Sequence, residues 1–220
     1  MKLSKLTLDV LKHSTMINNN IVIKAGSKIS TVSAAKNIFM EYECPEKFDK
    51  NMSLYSLQGL LGVVSAFTDP EVELHDKFCT ISSGKYKTKW LYSDENLLVW
   101  PKKSPVLGDV HARLNITLDI LSKVQKMANL ISASDLAIIS DGKDIKLKVF
   151  DKANPSTNDF IIDLDVQSSE EFTIYFKVEN MKLFPADYAL EVSASASKWS
   201  TTVDGNKMTF FIAIEADSVL

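Results

Sequence analysis

Leu6-Thr7-Leu8-Asp9-Val10-Leu11 and Ile116-Thr117-Leu118-Asp119-Ile120-Leu121 are nearly the same six residues met twice, 110 positions apart in a chain of 220. An offset of half the length is what a duplicated domain leaves in a sequence, and such a period governs the whole architecture. Working outward, the surroundings agree. Each copy continues as a helical pattern, ending near Ile17 or Ile131. An alternating strand follows, Ile21–Lys24 in the first half and Leu136–Ile139 in the second, and turns at Gly26 and Gly142 lead onward. Further strands are expected at Asn37–Glu43, Glu71–Leu74, Phe78–Ser82 and Tyr86–Tyr92 in the first half. In the second they are expected at Ile145–Asp151, Phe160–Val166, Phe172–Val178, Tyr188–Ser193 and Lys207–Glu215, the last entered by an Asp204-Gly205 hairpin turn. Each half also offers a second helical stretch, Leu54–Phe67 and a short one at Asn180–Phe184 stopped by Pro185. Residues 93–110, with Pro101, Pro105 and Gly108, read as an extended connector. The expectation is an α+β chain of two repeated domains, 1–92 and 111–220, each with about two helices on an antiparallel sheet.

The inventory of reactive groups is thin. The three histidines, His13, His75 and His111, have no second ligand at a metal-binding spacing, and Cys44 and Cys79 are too far apart in sequence to suggest a framework. No nucleophile elbow, P-loop or dinucleotide fingerprint occurs, so no enzyme, cofactor or metal is expected. Gly59-Leu60-Leu61-Gly62 has the spacing of a nucleic-acid-clamping loop, but its apolar neighbours favour small residues that let a helix lie close on a sheet. A net charge of −3 excludes a uniformly basic nucleic-acid binder while allowing a basic face. No apolar run is long enough for a membrane span, and the charged start Met1-Lys2-Leu3-Ser4-Lys5 is unlike a signal peptide, so a cytosolic protein is expected.

Such a basic face is available on the long helices. In the second half, Ile120, Leu121, Val124, Met127, Ala128 and Ile131 fall in one arc, leaving Lys123 and Lys126 on the other side. In the first half, Leu3, Leu6, Val10 and Ile17 form the apolar stripe and Lys5 and Lys12 share the opposite face. A solvated helix face reads the same way; recurrence in both halves favours lysines aimed at phosphates. A rival reading is a non-ring single-stranded nucleic-acid-binding accessory protein, with Tyr86, Trp90 and Tyr92 alternating with Lys85, Lys87 and Lys89.

Five segments in register from Met1 to Ser218 then resemble one family, the sliding clamps (DNA polymerase processivity factors) of T-even-type bacteriophages. They are the opening Met1-Lys2-Leu3-Ser4-Lys5 with Lys12; Tyr55-Ser56-Leu57-Gln58-Gly59-Leu60-Leu61-Gly62-Val63; Lys123-Val124-Gln125-Lys126; Asn180-Met181-Lys182 with Pro185 and Tyr188; and Ile214-Glu215-Ala216-Asp217-Ser218. The chain departs from the family at Asn96–Pro105, less proline-rich than its counterpart, and at its end. The resemblance implies a DNA-clamp fold, sheets outside and helices lining a homotrimeric ring around duplex DNA. It also implies an ATP-driven clamp loader, a tethered replicative DNA polymerase, a role in late transcription, and the cytoplasm of an infected bacterial host.

On that resemblance Lys5, Lys12, Lys123 and Lys126 line the bore, with His13, Arg113 and Lys182 as further candidates. The subunit seam is expected between strand Tyr86–Tyr92, carrying Lys87 and Lys89, and strand Phe160–Val166, carrying Asp163 and Asp165. Partner docking is expected at Leu97-Leu98-Val99-Trp100-Pro101, an apolar run anomalous in a connector, unless it fills a seam between domains. The resemblance places Ala213, Glu215 and Ala216 opposite it.

Overall fold

In the computed structural model, residues 1–154 and 156–219 are described; Leu220, the last residue of the expected second domain, lies outside them. The chain divides into two compact units, Met1–Pro105 with Thr202–Phe210, and Val106–Thr201 with Phe211–Leu220. The expected connector, 93–110, is thus shared between them.

The first unit opens with α1 (Lys5–Ser14). Its cap Ser4 accepts the Thr7 N–H, and Thr7, Val10, Leu11 and Ser14 are buried at helical spacing. The Glu46 carboxylate accepts from the Ser4 N–H and, at 2.6 Å, from the Thr7 hydroxyl, placing negative charge at the positive end of the helix. Burial pushes the Glu46 carboxyl up, and those hydrogen bonds outweigh it and hold it below its usual range. Strands β1 (Ile21–Ile23), β2 (Gly26–Val32), β3 (Ile38–Phe48) and β4 (Met52–Leu54) follow. β1 pairs antiparallel with β4 and β2 with β3. Helix α2 (Leu57–Ser65), capped by Ser56, leads to β5 (Glu71–Leu74), β6 (Phe78–Ser83) and β7 (Tyr86–Leu91). These three strands form an antiparallel sheet with β7 at its edge.

Gly59 explains how α2 meets β7. A Cβ there would lie 2.9 Å from the Trp90 ring and 3.0 Å from the Ser56 hydroxyl, whereas a Cβ at Gly62 would meet nothing. One glycine of the pair thus serves close approach, as the apolar surroundings suggest.

The second unit contains β8 (Ala112–Ile116), α3 (Leu118–Ile131), β9 (Asp135–Asp141), β10 (Asp144–Phe150), β11 (Phe160–Gln167), β12 (Glu171–Lys177) and β13 (Tyr188–Val192). β14 (Ala196–Val203) and β15 (Asn206–Ala213) lie partly in each unit, by the bounds above. Four strands form an antiparallel sheet in the order β11-β10-β9-β12, with β11 at one edge, and β13 pairs with β8 and β14. Ser132, left-handed at φ 54°, ends α3. Val124 and Ala128 are buried from the helix, against a sheet core that includes Leu136, Ile138, Leu147, Val149, Ile174 and Phe176.

Two expectations about detail are corrected. Among the described residues the second unit has one α-helix rather than two: a 3-10 turn, Val178–Asn180, stands where the short helix was expected, and the chain runs irregularly to Pro185. Five residues are too few to nucleate a helix, and the position before a proline favours extended backbone. There the Lys182 N–H turns back to the Asn180 carbonyl, while the Phe184 carbonyl accepts the Tyr188 hydroxyl at 2.7 Å. The six-residue repeat is also out of structural register. Leu6–Leu11 lies inside α1, capped by Ser4, whereas Ile116 ends β8 and Thr117 is itself the cap of α3. Likeness of residues in the two halves therefore does not make Asp9 and Asp119 equivalent on their helices.

Candidate functional site

The helix lysines fall into two kinds. Lys5 pairs with Asp9 at 2.5 Å and Lys123 with Asp119 at 2.7 Å, both across one helical turn. Each is exposed, and each carries its own counter-charge. Lys12 and Lys126 are exposed with no carboxylate partner among the described residues. They are the stronger phosphate attractors, one on each helix, because pairing with an acid cancels much of a lysine's field.

The other candidates are placed differently. His13 is half-buried, its ring edge-on to Phe210 with centroids 6.2 Å apart, a packing contact. Arg113 stands on a strand, β8, where it faces Glu191 of β13 and pairs with it at 3.3 Å. Lys182 is half-buried in the irregular segment after the 3-10 turn. Beside it Met181, Leu183, Phe184 and Pro185 face Leu118, Leu121, Gln125, Lys126 and Asn129 of α3 across a groove of about 510 Å³.

The connector run is less uniform than its sequence suggests. Asp94 caps a 3-10 turn, Glu95–Leu97, that turns Leu97 out to 77% exposure and Leu98 in to 7%. Leu98 is therefore core, a correction to the expected exposed cluster. Val99 is exposed, and its carbonyl accepts the Asn18 amide at 3.2 Å. Trp100 and Pro101 are half-buried. Two ammonium groups lie over the Trp100 ring, Lys102 Nζ at 3.6 Å and Lys24 Nζ at 4.6 Å from its centroid. Lys24 is held there by both oxygens of Glu95, at 2.8 and 2.6 Å. Further along, the Ser104 hydroxyl donates to Glu41 of β3 at 2.6 Å. The run is thus fixed along the first unit, with Leu97, Val99 and the basic rim of Trp100 outward. Sequence reading singled out the apolar run and missed Lys24, whose contact with Trp100 is non-local. In the second unit, Ala213 ends β15, the half-buried Glu215 donates its N–H to the Tyr175 carbonyl at 2.9 Å, and Ala216 is exposed.

At the sheet edges, Lys87 and Lys89 are exposed on one face of β7, and Asp163 and Asp165 on β11. Asp165 is left-handed at φ 52° and donates its N–H to an Asp163 carboxylate oxygen at 3.0 Å. The aromatic residues of the rival single-strand reading do not form an exposed row. Tyr86 is exposed, but Trp90 lies against α2, and the Tyr92 hydroxyl is buried near Cys79. Among the described residues no group of His, Cys, Asp or Glu could hold a metal, and no helix is long and apolar enough to cross a membrane.

Comparison with known proteins gives a consistent result. No family model matches the chain. The chain is 24% identical over 224 residues to the sliding clamp of Escherichia phage RB69, covering 99% of this chain and 98% of that protein. It is 26% identical over 226 residues to the sliding clamp of Enterobacteria phage T4, with the same coverage. Among solved structures, A. fulgidus PCNA bound to the C-terminal region of FEN-1 superposes with a TM-score of 0.72 at 12% identity, over 97% of this chain and 96% of that one. PCNA from Thermococcus kodakaraensis superposes at 0.69 with 13% identity, over 94% and 95% of the two chains. Over nearly its whole length, then, this chain resembles the sliding clamps of T4-like phages, and it has the DNA-clamp fold.

Proposed function

We propose that the chain is a sliding clamp: three copies close a ring around duplex DNA and tether the replicative DNA polymerase to its template. The observation that carries this reading is the full-length similarity to three phage proteins of that name, joined to the clamp fold. Residues 1–92 and 111–220 then act as the two clamp domains and 93–110 as their connector. Lys12 and Lys126, with Lys5 and Lys123 behind their acidic neighbours, face the DNA. Sparse, partly neutralised charge suits a protein that must slide, since every tight phosphate contact ties affinity to displaced counterions and slows movement. The net charge of −3 suits it too, by repelling DNA from the outer surface. Leu97, Val99 and Trp100 offer an apolar docking point for a polymerase segment, with Ala213, Glu215 and Ala216 assigned to the same role by resemblance. The clamp loader, the aid to late transcription and the cytoplasm of an infected bacterial host belong to the same reading.

The test is topological. Protein loaded onto primed circular DNA by a phage clamp loader is expected to stay bound in salt and to slide off when the circle is cut. Changing Lys12 and Lys126 to Glu is expected to lower loading and processive synthesis several-fold without loss of folding, because both side chains are solvated. Retention that does not depend on circularity, or binding to short single strands alone, refutes the ring.

A further inference from the structure

We infer that β7 of one copy joins β11 of the next in a single antiparallel register, Lys89 opposite Asp163. This deepens the ring reading and rests on it. Both strands are sheet edges with one side open. Tyr92, just past β7, donates its N–H to Lys77 on the β6 side. By alternation, Lys87, Lys89 and Leu91 turn their backbone groups to the open side.

The side chains select the register. On the outer face β7 reads Lys87, Lys89, Leu91, and β11 reads Ile161, Asp163, Asp165. Run antiparallel with Lys89 opposite Asp163, they place Leu91 opposite Ile161 and Lys87 opposite Asp165. Leu91 is 67% exposed and Ile161 52%, so two large apolar side chains left in water cover each other. On the other face the same register sets the half-buried Trp90 against the half-buried Ile162. Sliding by two residues one way sets Leu91 against Asp163; sliding the other way sets Lys89 against Ile161. Either slip costs a charge pair and buries a charge beside an apolar group.

The charges are also free to pair. Lys146, opposite Asp163 within its own sheet, is drawn to Asp141 at 3.4 Å, and Lys148 to Asp159 at 2.7 Å. Among the described residues Asp163 has no lysine partner in its own copy, and Lys87 and Lys89 have no carboxylate. Lys89 Nζ rests over the Phe78 ring, 4.1 Å from its centroid, which holds it on the outer face. The left-handed turn at Asp165 makes the Lys87 pair the looser of the two.

Charge exchange tests the register. Association is followed by sedimentation equilibrium of the full chain. Lys89→Asp and Asp163→Lys are each expected to raise the concentration at half-assembly about 3- to 10-fold, since opposed like charges destabilise a strand pair. The double variant, with the pair reversed, is expected to return to within about twofold of wild type. If Lys89→Asp is rescued by Asp165→Lys instead, or if the double exchange is no better than the worse single, this register is wrong while the ring stands. Wild-type protein that stays monomeric at every concentration overturns the ring reading and the register with it.

Discussion

Asp135 is a buried charge in the second unit, and replacing it tests how the central sheet of that unit is held. It opens β9, flanked by Phe150 of β10 on one side and Lys177 of β12 on the other. Its carboxylate accepts Lys177 Nζ at 2.5 Å, the Ser134 hydroxyl at 2.6 Å and the Lys152 N–H at 3.0 Å, while its side chain is only 2% exposed. Burial pushes this carboxyl up, but the three donors outweigh it and hold it below its ordinary 3.8. In Asp135→Ala, Ser134 and the partly exposed Lys177 can turn to water, but the Lys152 N–H loses its partner. Breaking a buried pair costs about 3–5 kcal/mol. Solvent access to Lys177 argues for about 2–4 here, with an unpaired N–H supplying ~1–3 of it. Because the folded-state pKa is depressed, the stabilisation is complete above the unfolded value and is lost as pH falls through the folded one. Urea unfolding at pH 7 is therefore expected to show a lower midpoint for Asp135→Ala, and the gap to wild type is expected to shrink as pH falls below the ordinary 3.8 of an unfolded aspartate. Asp135→Asn keeps the shape without the charge and should fall between the two at pH 7. An Asp135→Ala protein within about 0.5 kcal/mol of wild type at pH 7 would refute the reasoning, since that is the scatter of an ordinary surface change.

Other outcomes follow from the same geometry. Burial pushes the Cys44 and Cys79 thiols up to about 11, so neither should react with a thiol reagent at pH 8 until the protein is unfolded; stoichiometric labelling of the native chain would contradict their placement. Trp100→Ala is expected to remove most polymerase stimulation while leaving the sedimentation of the assembly unchanged, because its neighbours Lys24 and Lys102 remain solvated. Loss of assembly in that variant would make Trp100 a core residue, and full stimulation would move the docking point elsewhere.

Much of the fold was legible because its strands alternate. Glu71–Leu74 was read at its observed bounds, and β6, β7 and β9 to β13 within two residues. β14 and β8 escaped notice for different reasons. In β14 the fully buried position next to Trp199's neighbour is Ser197, which reads as a turn former. Its hydroxyl donates to the Ile212 carbonyl at 3.0 Å and accepts the Trp199 indole N–H at 2.9 Å, so it is buried because it is satisfied. β8 alternates cleanly, but the six-residue repeat drew Ile116-Thr117 into a helix that begins one residue later. Among site residues, helix-face lysines were visible from the 3.6-residue period. The inward turn of Leu98 and the Arg113–Glu191 pair were not, because each depends on partners distant in sequence.

The division of the chain also bears on how it is made. The first unit begins at Met1 yet includes Thr202–Phe210, where Met208 and Phe210 are almost fully buried and Phe210 meets His13. During synthesis that unit has all of residues 1–105 long before it has its last strand segment. Its core stays incomplete until residues 202–210 have been made, whatever local structure the helices and hairpins have formed by then. A nascent chain stalled, or a gene cut, near residue 110 would carry an uncovered apolar surface in place of a finished domain. The duplication legible in the sequence is thus not a division into two consecutive folding pieces, because the first unit takes its closing strand segment from residues 202–210.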